Sequence, residues 1–142
     1  MNLGPTTGEE TTLFLKKNVQ KINILVVEDD DVSWMLCEQL AIKRGWEASR
    51  AKDGSEAVGA FKSQQFSLVL MDIQLPIMNG YMATRAIREY ELTLSTRTPI
   101  VGLTSNALQG DREKCIEAGM DDYMSKPLNV DVFYKTIIDF IE

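Results

Sequence analysis

The sequence predicts an α/β domain built on a five-stranded parallel sheet, wound in the order 2-1-3-4-5 and covered by five helices. Three observations predict it. From Ile22 onward, short apolar runs alternate with stretches of helical period five times. The connections are short, which leaves parallel strands with crossover helices as the compact solution. The runs Ile24 to Val27, Leu68 to Met71 and Ile100 to Leu103 lack polar alternation, as strands buried on both faces do.

Composition bounds what such a domain can do. A chain of 142 residues with 44% hydrophobic and 25% charged residues is one ordinary globular domain, long enough to bury about two-thirds of its unfolded surface. The net charge is −6, and no basic run is longer than Lys16-Lys17 or Lys43-Arg44. That balance argues against direct nucleic-acid binding, which needs clustered positive charge. There is no histidine, so the commonest zinc ligand, the commonest general base and any Ser-His or Cys-His pair are absent. Cys37 and Cys115 each sit in a helical pattern and read as buried thiols. With no signal-like or membrane-length apolar run, the expectation is a cytoplasmic chain without membrane contact of its own.

Residues 1–21 are polar, contain Gly4-Pro5 and read as a flexible leader; the domain is expected over residues 22–142. The first strand, Ile22 to Val27, ends in the acidic run Glu28-Asp29-Asp30-Asp31. Val32, Met35, Leu36 and Leu40 then fall on one helical stripe, which Gly45 stops. Asp30 and Asp31 are expected to cap that helix. Trp46 to Ala51 is a less apolar strand, suited to an edge, and Asp53-Gly54-Ser55 caps a helix carrying Ala57, Val58 and Phe61.

Phe66 to Met71 is the third strand, delivering Asp72 at its end. Pro76 forbids a helix from starting there, and Asn79-Gly80 marks the turn after which one runs to about Leu92 with Ala83, Ile87 and Tyr90 inward. The fourth strand, Pro99 to Leu103, ends in Thr104-Ser105-Asn106. A thin helix over residues 111–118 follows, then a short strand from Asp121 to Met124 that leads into Ser125-Lys126-Pro127. Phe133, Ile137, Phe140 and Ile141 give the last helix its apolar face.

In open parallel sheets ligands bind beyond the carboxyl ends of the strands, where the strand order reverses. Glu28 and Asp29 follow strand one, Asp72 strand three, Thr104 strand four and Lys126 strand five. Three carboxylates therefore converge on one crevice with a hydroxyl and an ammonium group at its rim. Clustered carboxylates resist ionisation without a compensating cation. Oxygen-only donors suit Mg²⁺ or Mn²⁺ rather than zinc. A metal and Lys126 would both attract phosphoryl oxygens, leaving Asp72 as a nucleophile for in-line phosphoryl transfer.

On these residues the chain resembles a response-regulator receiver domain of two-component signalling. The matching motifs are Ile24 to Asp29, Met71 to Pro76 with Asn79-Gly80, Leu103-Thr104-Ser105-Asn106-Ala107, and Tyr123-Met124-Ser125-Lys126-Pro127. The run from Gly110 to Tyr123 is most like receivers attached to hybrid sensor histidine kinases.

The resemblance implies a flavodoxin-like fold with Asp72 as phosphoacceptor. It also implies Mg²⁺ ligation by Asp29, Asp72 and the Gln74 carbonyl, with Glu28 acting through a water. Lys126 would pair with the phosphoryl group, and Thr104 with Tyr123 would form the switch. Gln74 and Asn106 would tune hydrolysis, and Lys126-Pro127 would be cis. The implied partner is a histidine kinase or histidine-phosphotransfer domain, with weak homodimerisation through the surface of helix four, strand five and helix five.

Such a protein phosphorylates itself and slowly loses the phosphate rather than turning over substrate. Glu28 stands where many receivers carry aspartate, as is common in the hybrid-kinase group, and Asp30 adds a charge where that group often has asparagine. The rival within this fold is a pseudo-receiver that binds a partner without phosphorylation, against which the intact Asp72, Lys126 and Thr104 speak. A calcium loop at Asp29-Asp30-Asp31 lacks its glycine and distant glutamate, and a flavin phosphate loop would not be acidic.

Overall fold

The computed structural model describes residues 21–105 and 110–142. The strands are β1 (Asn23–Val27), β2 (Glu47–Ala51), β3 (Leu68–Asp72), β4 (Ile100–Thr104) and β5 (Asp122–Ser125). The helices are α1 (Asp31–Lys43), α2 (Gly54–Ser63), α3 (Gly80–Glu91), α4 (Asp111–Ala118) and α5 (Val130–Ile141). All strand pairs are parallel and the order is β2-β1-β3-β4-β5, as the alternation and short connections predict. The leader expected over residues 1–21 lies almost wholly outside the described residues.

Successive residues of each central strand feed opposite cores. Leu25, Val27, Val69 and Met71 pack with Ala57, Phe61, Ala83, Ile87 and Cys115, so α2, α3 and α4 cover one face. Ile24, Val26, Leu68, Leu70, Val101 and Leu103 pack with Cys37, Leu40, Ala41, Phe133 and Ile137, so α1 and α5 cover the other. Burial on both sides is why β3 and β4 contain no polar residue until their last positions and β1 none after its first residue, Asn23. The exception proves informative: β2, at the edge, keeps only Ala51 buried.

Two apolar stripes need correction. On α1 the inward residues are Cys37, Leu40 and Ala41, while Val32, Met35 and Leu36 are exposed. This helix is apolar on most of its circumference from Trp34 to Ile42, so a 3.6-residue period fits more than one rotation. The sheet selects the rotation that puts the small Cys37 and Ala41 against β1. On α5, Phe133 and Ile137 are buried but Phe140 is 36% exposed, where it lines an open hollow with Trp46 and Phe66.

Caps fix where the helices begin. Asp30, Asp53, Asn79 and Asn129 each accept a hydrogen bond from the backbone N–H three residues on. Asp31 instead lies in the first turn of α1 and pairs with Arg50 at 2.9 Å. Gly45, at φ 76, closes α1 in the left-handed region.

Candidate functional site

The site begins as a consequence of register. Val27 pairs with Met71 and Asp72 with Leu103, so Glu28 and Asp72 leave neighbouring strands side by side where the strand order reverses. Oxygens of Glu28, Asp29 and Asp72 lie within 4.8 Å of one another. Glu28 and Asp72 are buried at 0% and 4% exposure, whereas Asp29 faces solvent.

The chain beyond Asp72 is built around close approach. The Gly80 N–H donates to the Ile73 carbonyl at 2.9 Å, and a Cβ on Gly80 would collide with the Asp72 carbonyl oxygen. Only glycine lets α3 start directly against the end of β3. Between them the Met78 N–H donates to the Pro76 carbonyl at 2.7 Å across Ile77, whose φ is 67. This tight three-residue turn holds a β-branched residue in the left-handed region, a strain of about 1–3 kcal/mol. The Gln74 N–H donates to Asp72 Oδ1 at 3.2 Å, orienting the carboxylate.

Lys126 reaches the crevice from the other side. Its N–H donates to the Thr104 carbonyl at 2.8 Å, and the Lys126-Pro127 peptide is cis, as the motif implies. Nζ donates to Asp72 Oδ2 at 3.1 Å and lies 2.6 Å from Glu28 Oε1. That second contact has ion-pair distance without hydrogen-bond angles, so Glu28 Oε1 is a buried acceptor with no hydrogen bond among the described residues. Glu28 Oε2 accepts from the Asp30 N–H at 3.1 Å.

The electrostatics follow. Burial, supported by the neighbouring Asp72, raises the pKa of Glu28 against the opposing pull of the Lys126 ammonium. Burial pulls Lys126 down, but its close contact with Glu28 and the charges of Asp72 and Glu28 outweigh that and leave it raised. With all four groups ionised, three carboxylates face one ammonium. A crevice with this imbalance of hard oxygen donors, one of them buried and short of a hydrogen bond, fits a divalent cation such as Mg²⁺.

Thr104, 3% exposed, donates its hydroxyl to Asp111 Oδ2 at 2.8 Å. Tyr123 is half-buried on β5, opposite Gly102 of β4, against the core beneath α4. Asp29, Gln74, Tyr81, Thr104, Asp111 and Lys114 line a cleft of about 570 Å³ next to Asp72. Burial, then Cys115 and Asp111, push the Tyr81 phenol up to about 12. A larger hollow of about 820 Å³ opens at the opposite end of the sheet near Trp46, Phe66 and Pro99, away from these groups. Asn106 lies outside the described residues.

Two contributors were not legible as such. Asp111 reads in the sequence only as the first residue of a thin helix, and its link to Thr104 needs the fold. Arg50 donates from Nε to the Glu28 carbonyl at 3.0 Å, pairs with Asp31 and stacks 5.8 Å from the Trp34 ring centre. Its signal was a basic residue near the end of a strand beside an acidic loop, weak without the register that pairs it with Val26.

Comparison with known proteins agrees with this fold. Residues 24–138 match the family model described as the response regulator receiver domain. The chain is 41% identical over 119 residues to hybrid signal transduction histidine kinase I of Dictyostelium discoideum, covering 80% of this chain but 7% of that protein. Among solved structures it is similar to the receiver domain of sensor histidine kinase PA1611 from Pseudomonas aeruginosa PAO1, described with a magnesium ion coordinated in the active site cleft. That likeness has a TM-score of 0.78 and 39% identity, covering 86% of this chain and 98% of the other. The receiver of Saccharomyces cerevisiae Ssk1, crystallised with the histidine phosphotransfer protein Ypd1, superposes with a TM-score of 0.80 at 33% identity, covering 84% of this chain and 88% of the other. Among the described residues no helix is long and apolar enough to cross a membrane.

Proposed function

The chain belongs to the response regulator receiver domain family of two-component phosphorelay signalling, and from that premise we propose that Asp72 accepts a phosphoryl group from a phosphohistidine. The carrying observation is Asp72 held by Lys126 beside Glu28 at the carboxyl end of a buried strand. A carboxylate oxygen of Asp72 attacks phosphorus in line. The P–O bond forms as the P–N bond breaks, and the departing imidazole nitrogen keeps the electron pair and is protonated from solvent.

Lys126 neutralises charge on the phosphoryl oxygens, and the Gln74 N–H orients the attacking carboxylate. Asp29, Asp72 and the Gln74 carbonyl are the direct ligands in this reading, with Glu28 acting through a water; the same oxygen donors accommodate Mn²⁺. A divalent cation held there would supply positive charge to offset the repulsion between the carboxylates and an incoming phosphoryl group.

The donor is a histidine kinase or a histidine-phosphotransfer domain, supported by the similarity to a receiver crystallised with such a protein. Thr104 and Tyr123 carry the phosphorylation to the face of α4, β5 and α5, through which the chain also self-associates weakly. Gln74 and Asn106 tune the hydrolysis rate, since neither offers a carboxylate to orient water. No observation favours a pseudo-receiver over this reading. Incubation with acetyl phosphate and Mg²⁺ should add one phosphoryl mass to the wild type and none to Asp72→Asn. Equal labelling of the variant would remove Asp72 from the role.

A further inference from the structure

The two ends of α4 are held differently. At its C-terminal end Gly119 accepts hydrogen bonds through its carbonyl from Arg88 Nε at 2.8 Å and from Arg97 at 3.3 Å. Gly119 has a φ of 107, and a Cβ there would lie 2.9 Å from Arg88 Cγ, so glycine is needed both for the backbone and for the packing. Asp121, two residues on, is bonded by both guanidinium groups and by the Ile100 N–H. This end is fixed to α3, β4 and β5 together. At the other end Asp111, the first residue of α4, meets the site through the Thr104 hydroxyl. Between them only Cys115 and Ala118 are buried.

A hydroxyl has one proton and donates to one acceptor at a time. In this structure the acceptor is the Asp111 carboxylate, on the wall of the cleft that Asp72 adjoins. A phosphoryl group on Asp72 would bring a second anionic acceptor into that cleft. Both are charged, so the two bonds are of similar strength and the exchange is close to balanced. Repulsion between the phosphoryl oxygens and Asp111 then tips it.

We infer that Asp111 is the resting-state partner of Thr104: it competes with the phosphoryl group for the hydroxyl proton, and when it loses, α4 swings at its N-terminal end about the clamped Gly119. This rests on Asp72 being the phosphoacceptor. Asp111 is a positioning residue acting through Thr104, and the clamp is what converts one exchanged hydrogen bond into a directed movement. Without fixation at Gly119 the same exchange would loosen α4 along its whole length. With it, the first turn moves and the last does not.

The test is amide exchange, followed by mass spectrometry, in wild type, Asp111→Asn, Thr104→Val and the double variant. Each is measured with and without acetyl phosphate and Mg²⁺, and the intact mass of each sample gives its phosphoryl content. Without phosphate, Asp111→Asn should exchange about tenfold faster than wild type across residues 112–116, since a neutral acceptor replaces a charged one. Thr104→Val should match the double variant, because the Thr104 hydroxyl is the hydrogen-bond partner of Asp111 among the described residues. Exchange at residues 119–122 should stay as in wild type throughout. Phosphorylation should speed the first turn of α4 in wild type and add little in Asp111→Asn.

Unchanged exchange in Asp111→Asn, additive effects in the double variant, or phosphorylated wild type with a first turn as protected as before would each overturn the inference while leaving Asp72 as acceptor. Wild type that gains no phosphoryl mass would remove the premise and the inference with it.

Discussion

Two clusters of charge sit at opposite ends of the sheet, and they are built on opposite principles. At the amino end of β4 and β5, two guanidinium groups meet two carboxylates and every carboxylate oxygen is held. Glu91 is bonded by Arg88 at 2.6 Å and by the Thr98 N–H at 2.7 Å, and Asp121 by Arg88, Arg97 and the Ile100 N–H. At the carboxyl end three carboxylates cluster, Lys126 pairs with Glu28 and Asp72 but not with Asp29 among the described residues, and Glu28 Oε1 has only an ion-pair contact. The first cluster is complete within the fold and serves as a joint. The second is left with an excess of carboxylates, a donor set that an added cation would balance.

Breaking the joint should have the largest effect. Arg88→Met leaves Glu91, 7% exposed, with a buried charge and no cation, and removes donors from the Thr98 and Gly119 carbonyls. The expected loss is about 3–5 kcal/mol in urea unfolding. Arg97, whose side chain is 59% exposed, should cost under about 1 kcal/mol when changed to Met. Comparable losses for the two would mean the joint is an ordinary surface ion-pair cluster.

Helix α1 offers a second contrast, between a face that packs and a face that does not. Leu40→Ala should lose about 2–5 kcal/mol by opening a cavity against β1 and α5. Val32→Ser, at 74% exposure, should stay within about 0.5 kcal/mol of wild type. A Val32 cost approaching that of Leu40 in chemical unfolding would restore the sequence-predicted stripe.

That stripe shows where sequence reasoning stops. The central strands were legible because burial on both faces strips them of polar residues, so Asp72 stands out against Leu68 to Met71. The crevice was legible from the same strand ends: Glu28, Asp72 and Thr104 each break an apolar run, Asp29 follows Glu28, and Lys126 follows the short strand five. Periodicity failed on α1, where Trp34, Met35, Leu36 and Cys37 are consecutive and only the partner surface decides which turn inward. It could not reach Asp111 or Arg50 either, since Asp111 acts through a side chain 7 residues away and Arg50 through a backbone carbonyl 22 residues away in the chain.

One cluster is completed by the fold, and the other is expected to be completed by a cation. Thermal melts of Asp29→Asn and Glu91→Gln, each with and without Mg²⁺, test it most directly. Without metal, Asp29→Asn should melt above wild type because it relieves repulsion, and Glu91→Gln below it because it unbalances the joint. Mg²⁺ at 100 times its dissociation constant should stabilise wild type and Glu91→Gln by about 2.7 kcal/mol and Asp29→Asn by far less. Destabilisation of the metal-free protein by both substitutions, or an undiminished Mg²⁺ shift in Asp29→Asn, would contradict the account.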